Sequence, residues 1–475
     1  MAFFKKHLLT LINSEKQSLF FILGVGLIAR LVMNLGTAGI LWPDSLAYIS
    51  SAANIARDLN FYPHEIYRTP GYSTFLAIFF SIFGRTTLAG HVIIFTQRLL
   101  GLLATYFCYR IAKRCFGPAT AFFASLIFTI STTELYYETV VQTEVLFMPA
   151  FLGSVLYFLS INEKLIGDRS RNISFFYLGL LGAVVTLIRP IARPLTFLLI
   201  GFTCLKNRKR SGIIFCSILA LASFSAFLLP WMAINKVTFG IFQVSQDVGI
   251  NMFHKAYDVA RLDPIEDASY PKQAGVLAQY RHKYSTTYFY AYDNILRRGF
   301  SHREADNRMS KFTLEAIKAH KVQYGLNVAT TFFALLFNNR DSGLFCERGV
   351  ETFRYLCSSQ ANQSLDDRSF RNYKNKYHRQ TMRGIDWYYH IVSMFSGALG
   401  IFFTLGVIIY FCSKPPDYWQ GLMLLLLILY FAGLTAILNR EEDRFRLPVD
   451  PFMMMFAVAG VVKGLSNRWE KTQII

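Results

Sequence analysis

Long apolar runs separated by short polar breaks set the pattern of this chain. A helix needs about 20 consecutive apolar residues to cross the hydrocarbon core of a bilayer. Length and hydropathy predict spans over 18–38, 88–111, 118–137, 142–161, 174–189, 191–205, 212–234, 388–412, 418–438 and 449–465, about ten in all. Between 174–189 and 191–205 lies "LIRPIARPL". Its arginines would be costly in lipid, so a tight turn is expected at Arg189-Pro190. The first apolar run is longer than the core of a cleavable signal, and no small-residue cleavage site closes it. It reads as an anchor kept as the first span.

Two shorter patterns sit between the spans. Loop 39–87 predicts two helices, "DSLAYISSAANIARDL" and "PGYSTFLAIFFSIFG". The second is too short to cross and fits the membrane interface. Within 314–339 only "LNVATTFFALLF" is apolar, which favours an interfacial or re-entrant helix over a span. The expected class is an all-α polytopic membrane protein with interfacial helices. It has an N-terminal module (1–234) carrying the first exterior loop, a mainly helical extracytoplasmic region (235–387) and C-terminal transmembrane helices (388–475).

Composition agrees. The 475 residues are 53% hydrophobic and 17% charged, against about 25% charged in soluble domains. The net charge of +19 could suggest a nucleic-acid partner. There is no zinc-finger spacing, RNP-like run or Walker loop to support one, and excess Lys and Arg is ordinary beside cytoplasmic helix ends. With the N-terminus in the cytoplasm, Lys5, Lys6, Lys113, Arg114, "KNRKR" (206–210), Lys414 and "KGLSNRWEK" (463–471) all fall inside. Cys346 and Cys357 then fall in the long exterior stretch, where a disulfide and two free thiols are equally compatible with the sequence.

That orientation gathers the unusual polar residues on the exterior face, which points to one site. Asp44 opens the first loop, with Tyr48 one helical turn on. In its plain reading Asp44 caps the helix starting at Ser45. In its functional reading it is a carboxylate in a partly dry pocket, tuned by burial toward a working base for an acceptor hydroxyl. Glu134, Glu138 and Glu144 surround a second exterior turn, and Glu144 runs straight into "VLFMPAFLGSVLYFL". An acid at that depth faces a cavity or pairs with a cation. Arg68, then Arg189 with Arg193, then Arg444 with Arg446, form three cationic sources on the same face. Guanidinium suits bidentate phosphate binding, although headgroup contact alone would also place arginines there. The exterior histidines are scattered and there is no HExxH, so no metal or other cofactor is expected.

These motifs carry a resemblance. "DSLAYISSAANIARDL" with "RTPGYSTFLAIFFSIFG", then "VVQTEVLFMPAFL", "TLIRPIARP", "PWMAINKVTFGIF" and "DRFRLPVDPFMMMFAVAG", resemble in order the segments of GT-C-fold glycosyltransferases. The likeness is to bacterial relatives of protein O-mannosyltransferases and lipid A aminoarabinose transferases. It implies an integral membrane enzyme, in the inner membrane of a bacterium, that takes a sugar from a polyprenyl-phosphate donor. The acceptor would be a glycan, lipid or protein on the extracytoplasmic side. The resemblance makes Asp44 the catalytic aspartate and Glu144 the second-loop acid, with Glu138 as its rival. It places Arg68, Arg189, Arg444 and Arg446 at the donor phosphate, with Tyr48 and Arg193 beside them. Two departures stand out: Ser45 follows Asp44 where a second acid is usual, and "HEIYRTP" holds no counterpart of zinc ligands. A ligase or polymerase using a diphosphate-linked glycan, and a flippase for lipid-linked glycans, are the alternatives.

Overall fold

The computed structural model describes residues 10–36, 43–62, 67–163, 168–206, 212–246, 295–337, 386–415, 418–438 and 443–472, with positions 7, 41, 251–253, 255, 256 and 292. Cys346, Cys357 and His64 lie outside the described residues. In chain order come α1 (Glu15–Gly36), α2 (Pro43–Asp58), α3 (Pro70–Phe83), α4 (Thr87–Phe116), α5 (Pro118–Thr129), α6 (Thr132–Tyr137), α7 (Glu144–Glu163), α8 (Asp168–Ile188), α9 (Arg193–Lys206) and α10 (Ile213–Phe239). Then come α11 (His302–Ala319), α12 (Lys321–Phe337), α13 (Asp386–Cys412), α14 (Tyr418–Leu438), α15 (Asp443–Arg446) and α16 (Asp450–Thr472). The expected class, an all-α polytopic membrane protein, is what the chain forms.

Among the described residues, five helical stretches are long and apolar enough to cross a bilayer: Thr87–Phe116, Glu144–Ile161, Arg171–Ile188, Ile213–Phe239 and Tyr418–Leu438. The two first-loop helices and the turn at Arg189-Pro190 form as expected, the turn as a single 3₁₀ segment, Pro190–Ala192. Segment 118–137, expected as one span, is broken. Helix α5 stops at Thr129 and α6 restarts at Thr132. Ser131, Thr132 and Thr133 sit at the break, where hydroxyl side chains compete for backbone partners and weaken a helix. Helix α9, at 14 residues, reaches only about 21 Å.

Aromatic contacts knit the halves of the chain together. Phe151 of α7 meets Phe431 of α14 and Phe452 of α16 edge to face, and Phe116 of α4 meets Tyr410 of α13 and Phe456 of α16. Such pairs contribute about 0.5–1.5 kcal/mol each beyond area burial. Helices α13 and α16 approach closely at Gly406, where a Cβ would lie 2.0 Å from the Phe456 carbonyl oxygen. Small residues allow that approach between membrane helices.

The irregular stretch between α6 and α7 is buried in protein, the condition under which non-helical backbone is tolerated at membrane depth. Several of its backbone groups are paired locally. Thr139 N donates to Tyr136 O, Val140 N to Tyr137 O and Gln142 N to Val140 O. Gln97 of α4 donates from Nε2 to the carbonyls of Glu138 (2.9 Å) and Val140 (3.0 Å), and its Oε1 accepts from Tyr72 Oη at 2.6 Å. One buried glutamine therefore ties α3, α4 and the acidic turn together.

Below that turn, Arg30 of α1 pairs with Glu138, both side chains fully enclosed, and Arg30 also donates to the carbonyls of Gly26 and Thr129. Removing one partner of such a pair strands a charge in low dielectric. Glu138→Leu is expected to destabilise the protein by about 3–5 kcal/mol, read as thermal unfolding in detergent. Adding Arg30→Met should recover part of that loss, because the Arg30 charge goes with its partner while buried Arg98, which also faces Glu138, remains.

Candidate active site

Four chain segments meet at one end of the bundle: the first-loop helices, the acidic turn before α7, the Arg-Pro turn after α8, and α15. They enclose a cavity of about 310 Å³ lined by Asp44, Tyr48, Arg68, Gln142, Glu144, Arg189, Arg193 and Arg444, among others.

Local sequence explains each arrival. Helix α2 begins at Pro43, a residue preorganised for the first helical position. Asp44 therefore sits inside the first turn and does not precede the helix as a cap. Pro70 likewise starts α3, so Arg68 leaves from the extended residues before it. Gly71 lies against the end of α8, where a Cβ would stand 2.6 Å from the Leu187 carbonyl oxygen and 2.9 Å from the Ile188 backbone. That close approach, with Thr69 Oγ1 donating to Ile188 O at 3.5 Å, brings Arg68 to the Arg-Pro turn. Tyr430 of α14 donates to Ile191 O and holds the turn from the other side. Trp231 donates to Val244 O at 2.8 Å, pinning the chain after α10 so that Ser245 Oγ accepts from Arg193 at 3.2 Å.

The electrostatic centre is Asp44. Arg68 donates to Oδ1 at 3.1 Å and Arg444 to Oδ2 at 3.1 Å. The Arg68 guanidinium lies 4.7 Å over the ring of Tyr48, which packs edge-on against Tyr72 at 5.3 Å. The side chain of Asp44 is 41% exposed, and that exposure opens onto the cavity. Burial raises its pKa, but the charges of Arg68 and Arg444, with their hydrogen bonds, outweigh burial and lower it from 3.8 to about 2. The sequence led us to expect a pKa raised toward a working base, and the resting site does the opposite. Tyr48 moves up, chiefly by burial and then by the nearby acids, so it stays a neutral phenol.

Glu144 and Arg189 form the second pair, 3.1 Å apart and mostly buried. The Arg189 guanidinium lies over Phe445 at 5.6 Å, and Arg444 over the same ring at 4.9 Å. The negative face of the Phe445 ring attracts both guanidiniums.

Of the residues singled out from the sequence, Asp44, Tyr48, Arg68, Glu144, Arg189, Arg193 and Arg444 come together here. Glu138 and Arg446 do not line the cavity. Glu138 is held by Arg30, and Arg446 donates from Nε to Asp450 Oδ1 at 2.6 Å, fixing the bend from α15 into α16. Tyr67, Gln142 and Asn251 line the cavity without having been singled out. Gln142 belongs to the quoted acidic motif, but an uncharged amide gives no signal in sequence. Among the described residues no three His, Cys, Asp or Glu side chains stand together as metal ligands.

A multi-spanning helical protein with an arginine-rich cavity at one bundle end is the class these features define. Residues 67–231 match the family model of dolichyl-phosphate-mannose-protein mannosyltransferase, in line with the resemblance carried by the motifs. No curated protein matches the chain. Among solved structures, it is similar to the Archaeoglobus fulgidus oligosaccharyltransferase in complex with zinc and sulfate, at 14% identity and TM-score 0.48, over 95% of this chain and 50% of that one. ArnT from Cupriavidus metallidurans bound to undecaprenyl phosphate gives 12% identity and TM-score 0.40, over 94% and 77%. The A. fulgidus oligosaccharyltransferase AglB, in complex with an inhibitory peptide and a dolichol phosphate, gives 14% and 0.46, over 96% and 52%. The chain spans about half the length of the archaeal enzyme.

The Asp44 pairing carries a pH signature. A carboxyl whose pKa falls on folding stabilises the protein above its unfolded value, and that contribution disappears as pH falls through the folded value. The gap in thermal stability between wild type and Asp44→Asn is expected to hold down to near pH 4 and to close between there and the folded pKa of about 2. A gap constant over that range would show that the carboxylate charge contributes nothing.

Proposed function

We propose that the chain is a glycosyltransferase that moves a sugar from a polyprenyl-phosphate donor to an acceptor hydroxyl, by inverting displacement in this cavity. The observation that carries the reading is Asp44 held between Arg68 and Arg444, with Arg189 and Arg193 in the same cavity. The matched family is described by a lipid-phosphate-linked mannose, and its match covers the segment that supplies Arg68, Glu144, Arg189 and Arg193. Guanidinium forks suit a phosphate at the headgroup level, while the lipid tail stays among the apolar helices.

The pairing suggests how the base is released. A donor phosphate competes with the Asp44 carboxylate for Arg68 and Arg444. As the guanidiniums turn to the phosphate, Asp44 loses the charges that hold its pKa near 2 and becomes the stronger base. The acceptor O–H then gives its proton to Asp44, and its oxygen attacks the anomeric carbon. The bond from that carbon to the phosphate oxygen breaks, and the electron pair leaves with the lipid phosphate, whose growing charge the arginines stabilise. Glu144, held by Arg189, orients the sugar or the acceptor.

We place the cavity on the extracytoplasmic side of a bacterial inner membrane. The basic positions expected inside belong to the opposite helix ends: Lys113 pairs with Glu15, and Arg114 donates to Ser160 at the far end of α7 from Glu144. The acceptor in this reading is a glycan, a lipid or a protein.

The test is transfer of radiolabelled sugar from a panel of undecaprenyl-phosphate hexoses to an envelope extract or to water, by full-length protein in detergent, with and without EDTA. Wild type is expected to release sugar regardless of EDTA, and Asp44→Asn to lose about 10²–10⁴-fold in rate. Asp44→Asn with full activity would remove Asp44 as the base. Folded wild type that is inactive on every monophosphate donor, but active on a diphosphate-linked glycan, would replace the donor class.

A further inference from the structure

Gln142 stands out in the cavity wall. The residue is 2% exposed, it lines the cavity, and neither Oε1 nor Nε2 has a hydrogen-bond partner. A buried amide with both ends unpaired is costly, and folded proteins rarely keep one without a use for it. The backbone around it is fixed: Gln142 N donates to Val140 O, and Gln97 holds the carbonyls of Glu138 and Val140. The next hydroxyl along the chain is already engaged, since Thr143 Oγ1 donates to Glu144 Oε2 at 3.2 Å. Gln142 therefore presents one open acceptor and one open donor group on a rigid turn beside the arginine-rich part of the cavity.

We infer that Gln142 binds the sugar moiety of the donor, its amide pairing with ring hydroxyls, and so sets which sugar is accepted. This rests on the glycosyl-phosphate reading above and adds the element that the charged residues leave out. The guanidiniums recognise the phosphate and Asp44 takes the proton, whereas an uncharged amide reads the arrangement of the hydroxyls. A neutral amide offers a donor and an acceptor in one plane, matching a hydroxyl that both gives and takes a hydrogen bond. A site built to hydrogen-bond a hydroxyl rejects strongly an analogue that lacks it or carries it on the other face. Gln142 touches substrate in this proposal but moves no proton.

Gln142→Met keeps the side chain's length and removes the amide. Binding of full-length protein in nanodiscs would be measured for bare undecaprenyl phosphate and for undecaprenyl-phosphate glucose, mannose and galactose, the last two each differing from glucose at one carbon. Wild type is expected to bind at least one sugar-linked lipid about tenfold more tightly than the bare lipid phosphate. Gln142→Met should lose that gain and bind bare undecaprenyl phosphate as wild type does. Its thermal midpoint without ligand should equal or exceed wild type's, because an unsatisfied amide has been removed from the cavity wall. A structural role predicts the reverse, a lower midpoint. The inference is overturned if Gln142→Met keeps the sugar-dependent gain, if it weakens bare lipid phosphate equally, or if wild type shows no gain with any of the three sugars. Gln142→Ala, with the same readouts, covers a methionine that packs badly. Wild type that fails to bind bare undecaprenyl phosphate would instead overturn the lipid-phosphate reading, and this inference with it.

Discussion

Arg68 and Arg444 reach the two oxygens of Asp44 from 24 and 400 residues away in the chain. A carboxylate shared in this way closes the first loop onto the turn before the last helix. It also keeps two cations side by side that would otherwise separate. The cavity, its charge and the depressed acidity of Asp44 all depend on that shared contact. Arg189 is kept in place by a matching pair with Glu144, and Arg189 and Arg444 both lie over the ring of Phe445.

Mutual pairing compensates the charges of the cavity wall. A buried guanidinium cluster with no anion would be expensive, and so would a buried carboxylate with no cation. In the mechanism proposed above, an incoming phosphate would replace one anion by another, and the same exchange would free the carboxylate to act as a base. Acidity in the resting protein is therefore a poor guide to acidity in the complex, and the low pKa of Asp44 is compatible with general-base work.

The scaffold around this exchange is stiff where it must be. Gln97 staples the acidic turn, Tyr430 and Gly71 fix the Arg-Pro turn, and Trp231 with Asn235 fixes the chain after α10. The Arg30–Glu138 and Arg446–Asp450 pairs perform the same positioning beneath the cavity. They use the residue types of the site itself, which is why composition alone cannot separate a supporting pair from a binding one.

Much of the architecture was legible in the chain because bilayer crossing is a local demand: length, apolarity and flanking charge are written consecutively. The turn at Arg189-Pro190, the short helices of the first loop and the gathering of Asp44, Arg68, Glu144, Arg189, Arg193 and Arg444 follow from that reading. The break after Thr129 was missed, since the group that reaches the Thr129 carbonyl there, Arg30, lies 99 residues away in the chain. Partner choice was also decided only in three dimensions. Glu138 and Glu144 look alike in sequence, yet one meets Arg30 across 108 residues and the other faces the cavity. Likewise Arg444 and Arg446, two residues apart, turn to Asp44 and to Asp450. Hydropathy acts along the chain and fixes which segments enter the membrane. Charge pairing acts across it, and only the packed bundle sets which acid each arginine meets.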